Sequence, residues 1–286
     1  MNLGVSMWSY VHPFKERRLS ISQFIHEAKN SGADGVELLD FFYRDIEADR
    51  RAALEALEAT GLPCPIFSVG NNFAQADPEK REEALNAIRF GIIEAQKLGA
   101  KVVRVFAGDS EPGVDFDAAR EWILEGLTVA SREAAEAGLK LALENHGKLA
   151  GRGAQVREII DEVRFRSDTD ALGANPDTGN FLLVDQESHE QLALVAPVAY
   201  MVHFKDFRLA EPEASGPVYE SLSAKRYQGT AIGEGDVDLY SCLDHLKQAG
   251  FEGWLSLEYE GMEDPFTAVP RSLAFSRSAI QSVSQS

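Results

Sequence analysis

A single (β/α)8 barrel, α/β in class, is predicted for this chain by three observations. Its 286 residues exceed one small module and fit one large barrel. Eight short β-rich runs alternate with helix-spaced stretches from end to end, with no shift in composition. The turn after the first run, Ser9-Tyr10-Val11-His12-Pro13, contains no glycine, unlike the first turn of a doubly wound nucleotide-binding sheet.

The strand segments are 3–8, 35–39, 66–69, 102–106, 139–144, 172–177, 200–204 and 254–258. Between them apolar residues recur at helical spacing, as in Ala53, Leu54 and Leu57 or Ile123, Leu124 and Leu127. Asp77-Pro78 before Glu79 provides an N-cap and a first-turn proline. Gly61, Gly99, Gly138 and Gly250 stand where helices stop ahead of the next strand. Residues 209–232 far exceed an ordinary connection of ~4–6 residues and read as a long loop. The polar, Ser-rich stretch 278–286 reads as a flexible tail, which assigns the barrel to 1–277.

The chain is 44% hydrophobic and 26% charged, enough for a large core, and its 28 basic against 46 acidic residues leave a net charge of −18. That excess argues against nucleic acid, which needs Lys and Arg to replace counterions, and against anionic lipid. No apolar run reaches the ~18 residues of a membrane span. The N-terminus has no basic segment before its first strand, and the two cysteines, Cys64 and Cys242, form no CxxC; both fit a reduced, cytoplasmic setting. No GxxxxGK phosphate cradle is present, and Gly233-Glu234-Gly235 lacks the third glycine of a dinucleotide turn. The partner expected is a small molecule; a homo-oligomer is compatible with the sequence.

Barrels of this kind carry their sites at the C-terminal strand ends. The fifth strand ends in Glu144-Asn145-His146, and the sixth leads into Asp177-Thr178-Gly179-Asn180. The seventh ends in His203-Phe204-Lys205-Asp206, and the eighth in Glu258-Tyr259-Glu260. One such acid alone reads as a turn former or helix cap; four consecutive strands ending this way read as a metal site. Glu144, Asp177, His203 and Glu258 form a hard, oxygen-rich set suited to Mn²⁺ first, then Mg²⁺ or Co²⁺, with Zn²⁺ also accommodated. Residues i and i+2 share a face of a strand, so His146 and Lys205 are expected nearer the substrate. Glu37, Trp8 and Arg208 are further candidates for substrate contact. Glu260 and Asp206 are balanced between a solvated rim charge and a role.

In the order of these motifs (ENH, NPDTGN, VHFKD, GEGDVD, LSLEYEG) the chain resembles the xylose isomerase-like TIM barrels, the sugar phosphate isomerase/epimerase group. That group is similar to ketose 3-epimerases, hydroxypyruvate isomerases, inosose dehydratases, 3-dehydroshikimate dehydratases and apurinic endonucleases. The resemblance runs over nearly the whole chain. It implies a divalent metal on the same four residues, with Glu144 and Glu258 exchanging protons with the substrate from opposite sides. The ketose 3-epimerases carry His three residues after the strand-six Asp; this chain has Asn180, which hydrogen-bonds without carrying charge and argues against free-ketose epimerisation. The nucleases carry extra early His ligands, whereas the first 140 residues here hold only His12 and His26.

The chemistry expected is proton removal beside a carbonyl, giving an isomerase or epimerase of a keto-sugar through an enediolate. Expulsion of a β-hydroxyl from the same species would make the site a dehydratase instead. A non-catalytic sugar-binding barrel is the remaining alternative. The basic pair Lys225-Arg226 makes the 209–232 segment an expected lid that offers cations to the substrate.

Overall fold

The computed structural model describes residues 1–109, 111 and 113–285. Seven strands follow in order: β1 (Asn2–Ser6), β2 (Gly35–Leu39), β3 (Ile66–Ser68), β4 (Val102–Phe106), β5 (Lys140–Glu144), β6 (Leu172–Asn175) and β7 (Met201–Phe204). A small sheet of β8 (Phe207–Leu209), β9 (Tyr219–Glu220) and β10 (Arg226–Gly229) intervenes before the last barrel strand, β11 (Trp254–Leu257). The barrel strands are parallel, in the order β6-β5-β4-β3-β2-β1-β11-β7. Parallel bridges Ala174–Ala199 and Asp177–His203 bring β6 and β7 together and nearly close the ring.

A short helix α1 (Val11–Lys15) precedes α2 (Ile21–Asn30), and the outer ring continues with α3 (Ile46–Thr60), α4 (Pro78–Leu98), α5 (Phe116–Glu136) and α6 (Gly153–Ser167). It is completed by α7 (Ser188–Val195), α8 (Leu239–Gln248) and α9 (Pro265–Gln285). Helix starts are set by side-chain caps. Asp45, Asp77, Asp115 and Asp238 each accept a first-turn N–H, and Ser20 with Gln23 forms a capping box. Gly61 and Gly99 end α3 and α4 in the left-handed region, at φ of 67° and 77°, where a side chain would be strained. No helix among the described residues is long and apolar enough to cross a membrane.

The barrel is plugged at its N-terminal end by Trp254 and Tyr200, packed on Ile66, Ala142 and Met201. Gly35 and Gly173 make room for them. A Cβ would stand 2.8 Å from the Trp254 ring at Gly35 and 2.5 Å from the Tyr200 ring at Gly173. One layer higher, polar side chains from successive strands point inward and bond one another, and this layer is the floor of the mouth.

The reading of the chain end is corrected, and that of the insertion is refined. The 278–286 stretch is not a frayed tail as far as it is described: α9 runs to Gln285, with Ala279 and Val283 buried. Apolar residues at 279, 280 and 283 keep one face of the helix on the barrel, and Lys247 Nζ donates to Val283 O at 2.8 Å. Ser286 lies outside the described residues. Residues 209–232 are largely turns and irregular backbone, as a long loop would be, but they carry short strands. Tyr227 pairs with both Leu209 and Tyr219, so β10 is the centre of an antiparallel sheet. The sheet lies against the C-terminal mouth, where Lys148 Nζ reaches Ser221 O and Leu222 N reaches Leu183 O.

Candidate metal centre and the cavity above it

Alternation along short strands brings the centre together. Glu144 closes β5, and His203 is the third residue of β7, both on the inward face. Asp177 and Glu258 follow β6 and β11 by one turn of backbone or less. One ligand atom from each of the four lies within 4.8 Å of all the others, and all four residues are buried. His203 Nδ1 faces Glu144 Oε2 at 3.2 Å and Asp177 Oδ2 and Glu258 Oε1 at 3.8 Å.

The polar layer beneath aims these ligands. Glu37 sits below His203 and holds Nε2 between its oxygens at 3.0 and 3.1 Å, while accepting from Ser68 Oγ and Ser256 Oγ at 2.5 Å each. With Nε2 committed to a carboxylate, Nδ1 is the nitrogen left for the centre. Asn175 accepts from His203 N and donates to Glu144 Oε2; Asn145 accepts from Asp177 N and donates to Asp177 O.

Charge is balanced by proximity. Burial alone would raise the Glu144 pKa, but His203, His146 and Arg104 hold it well below the usual carboxylate range. Burial pushes Glu258 up to about 7 against the pull of Lys205 and His203, and it raises Asp177 as well. Burial opposes the charge on His203, yet Glu37, Glu258 and Glu144 hold its pKa well above the ordinary imidazole value. Lys205 likewise stays well above its usual value, because Asp177, Glu258 and Glu260 outweigh burial. Three carboxylates and one imidazole, with His203 Nδ1 and Asp177 Oδ2 making no hydrogen bond of good geometry, fit a divalent cation.

Above the centre opens a cavity of about 260 Å³. Trp8, Leu39, Phe41 and Phe106 give it apolar walls, and Asp40, Arg104, Glu144, His146, Glu258 and Glu260 add polar atoms. His146 stacks on Phe106 with centroids 4.3 Å apart and places Nδ1 3.3 Å from Glu144 Oε1. Glu260 accepts from Trp8 Nε1 at 2.8 Å, so it belongs to the wall rather than to a solvated rim.

The sequence-predicted contacts divide. Trp8 and His146 line the cavity; Lys205 and Asn180 are buried beside it, Asn180 donating to Glu144 Oε1 at 3.2 Å. Glu37 does not face the cavity but lies under His203, because it is one step below Leu39, the residue of β2 that reaches the cavity wall, and His203 covers it. Arg208 is outside. On β8 it is exposed, and it lines a separate groove with Glu211 and Glu213. The basic pair points away too: neither Lys225 nor Arg226 lines the cavity, and Arg226 Nη1 donates to Pro212 O within its own segment. Asp206 is structural, its buried carboxylate accepting from Gly233 N, Gly235 N and Val237 N.

Two residues escaped the reading of strand ends. Arg104 stands mid-strand in β4, its guanidinium 4.0 Å over Phe106, with Nη1 donating to Val69 O and Nε 3.3 Å from Glu144 Oε2. A charge inside Val-Val-Arg-Val-Phe was the available signal. Asp40, just past β2, accepts from Gly70 N at 3.0 Å.

A barrel with a buried Glu/Asp/His centre at its C-terminal mouth defines the class. Residues 25–279 match the xylose isomerase-like TIM barrel family, and the chain belongs to it. It is 27% identical over 271 residues to an inosose dehydratase of Geobacillus thermodenitrificans, covering 88% of this chain and 85% of that one. Its fold is similar to that of a D-tagatose 3-epimerase-like protein, with a TM-score of 0.75, 19% identity and coverage of 100% and 99%. It is also similar to a xylose isomerase-like TIM barrel protein from Mycobacterium smegmatis in complex with magnesium, with a TM-score of 0.73, 18% identity and coverage of 99% and 97%.

Proposed function

We propose that this chain is a divalent-metal-dependent lyase that removes water from a ketone-bearing cyclic polyol of the inosose type. The observation that carries the reading is the inequality of the two glutamates. Both oxygens of Glu144 are engaged, Oε1 by Asn180 and His146, Oε2 by Asn175 and by the charges of His203 and Arg104. Glu258 instead has the Lys205 ammonium 2.5 Å from Oε2 and is the carboxylate left to accept a proton. Epimerisation wants proton-exchanging groups on both faces of one carbon, whereas elimination wants a base and an acid that can work as a pair. Glu258 and Lys205 form such a pair. The full-length likeness to inosose dehydratases supports the same choice.

In the elimination, Glu258 takes the proton from the carbon beside the ketone. The electron pair of that C–H bond becomes the new C=C bond, and the β-hydroxyl leaves as water with a proton from Lys205, which Glu258 then returns. Trp8, Leu39 and Phe41 give the C–H side of a ring an apolar wall, and Arg104 with Asn180 keeps Glu144 fixed. Glu144, Asp177, His203 and Glu258 would hold a divalent cation, Mn²⁺ by our assignment, which would supply Lewis-acid polarisation of the substrate carbonyl. A hard cation agrees with the oxygen-rich ligand set and with the magnesium of the mycobacterial structure.

The test is incubation of the purified protein with an inosose and Mn²⁺, Mg²⁺, Co²⁺ or Zn²⁺ in D₂O. A conjugated product absorbing in the ultraviolet is expected, and Glu258→Gln should lower its rate by roughly 10²–10⁴. Deuterium entering the substrate without ultraviolet change would instead establish an isomerase or epimerase. Neither signal with any metal would refute the reading.

A further inference from the structure

We infer that Lys205 is a built-in counter-cation of the centre: its ammonium holds the carboxylate cluster together in the metal-free protein and must yield Asp177 when a divalent cation binds. The inference rests on the proposed metal reading and concerns how the metal enters. Lys205 is 2% exposed, and its Nζ lies 2.9 Å from Asp177 Oδ2, 2.5 Å from Glu258 Oε2 and 3.4 Å from Glu260 Oε1. Asp177 Oδ2 also faces His203 Nδ1 in the centre, whereas Glu258 faces it with Oε1 and leaves Oε2 to the ammonium; Glu260 is outside the candidate ligand set.

Buried carboxylates packed this closely are costly unless a cation stands among them. Lys205 meets that need without metal, and its hold on Asp177 Oδ2 makes it a competitor for that oxygen. Two cations drawing on the same oxygen repel each other, most strongly where water is excluded. The lysine main chain cannot shift to relieve this, because Lys205 N donates to Thr178 Oγ1 at 2.9 Å and Thr178 Oγ1 donates back to Lys205 O at 2.6 Å. Only the side chain is free to turn. Glu260 is the acceptor on the cavity side, itself held by Trp8 Nε1, and with Glu258 Oε2 it can keep the ammonium when Asp177 is taken.

The reasoning separates two variants of opposite sign. Lys205→Met removes the competitor, so Mn²⁺ should bind at least about tenfold tighter. Its metal-free Tm should fall, and Mn²⁺ should raise Tm by more than in wild type, since a tighter ligand of the native state stabilises more. Glu260→Gln removes the receiving charge outside the ligand set, so Mn²⁺ should bind more weakly than to wild type.

Isothermal titration of each full-length protein with Mn²⁺, and thermal unfolding with and without it, reads both effects independently of turnover. Lys205→Met that folds only when Mn²⁺ is present would also support the inference. Should it not fold under either condition, Glu260→Gln decides alone, and an unchanged Mn²⁺ affinity there overturns the inference. An unchanged or weakened affinity in a folded Lys205→Met overturns it while leaving the metal reading intact. Absence of divalent-metal binding in wild type and both variants removes the two together.

Discussion

Replacing Glu37 by Gln tests whether the polar layer under the centre sets its chemistry. Glu37 is fully buried and touches no part of the cavity, so the substitution leaves the substrate's surroundings intact. What changes is the partner of His203 Nε2, now a carboxylate with oxygens at 3.0 and 3.1 Å. Gln has one acceptor oxygen, and it must choose between the imidazole and the hydroxyls of Ser68 and Ser256, both 2.5 Å from the present carboxylate. The ring then loses the charge that keeps the proton on Nε2 and Nδ1 open to the centre. Losing a carboxylate behind a ligating His costs typically 10–100-fold in metal affinity, about 1.4–2.7 kcal/mol. Titration of wild type and Glu37→Gln with Mn²⁺ at fixed pH measures it, with far-ultraviolet circular dichroism as a control for folding. A folded variant of wild-type affinity would show that the backbone of β7 alone orients His203, and the layer argument would fail.

Three further outcomes follow from other parts of the molecule. Lys225→Ala with Arg226→Ala should leave KM within about twofold, because neither side chain reaches the cavity; a steady-state comparison on the true substrate checks this. Arg50→Met should destabilise by about 3 kcal/mol in urea unfolding, since Arg50 makes bonds of 2.6 and 2.8 Å to the buried Glu94 and its removal leaves that charge only the more distant Lys97 at 3.5 Å. Burial raises the Asp206 pKa to about 6 despite three backbone donors, so the fold binds its proton more tightly than the unfolded chain does. Wild-type stability should therefore fall relative to Asp206→Asn as pH rises from ~4 to ~6, by up to about 3 kcal/mol, and level off above; unfolding curves across that range decide.

Strand ends were legible because an apolar run that stops at a charged residue marks both a buried strand and the barrel mouth. Glu144, Asp177, His203 and Glu258 were found that way, and the structure brings them into one cluster. Arg104 was missed because the same rule looks only at ends, and its strand carries the charge in the middle. The short strands within 209–232 were missed for another reason. Its strands are two to four residues long, below the length at which alternation can be seen, and pairing across a gap in sequence is what makes them strands.

By itself the sequence determined the barrel, since local alternation of β and α segments is written residue by residue, and it determined which four side chains cap adjacent strands. Only the tertiary structure decided which way the remaining polar groups face. Glu37 turned out to lie beneath His203 rather than beside the substrate, Arg208 outside the mouth, and Lys205 among the ligand carboxylates. The reason is geometric. Alternation says which side of a strand a residue occupies, but its height in the barrel depends on the stagger of neighbouring strands, as when Glu37 pairs with Ser6 and Ile66 while His203 pairs with Ser256. That stagger is a property of the closed sheet, and no single segment of the chain encodes it.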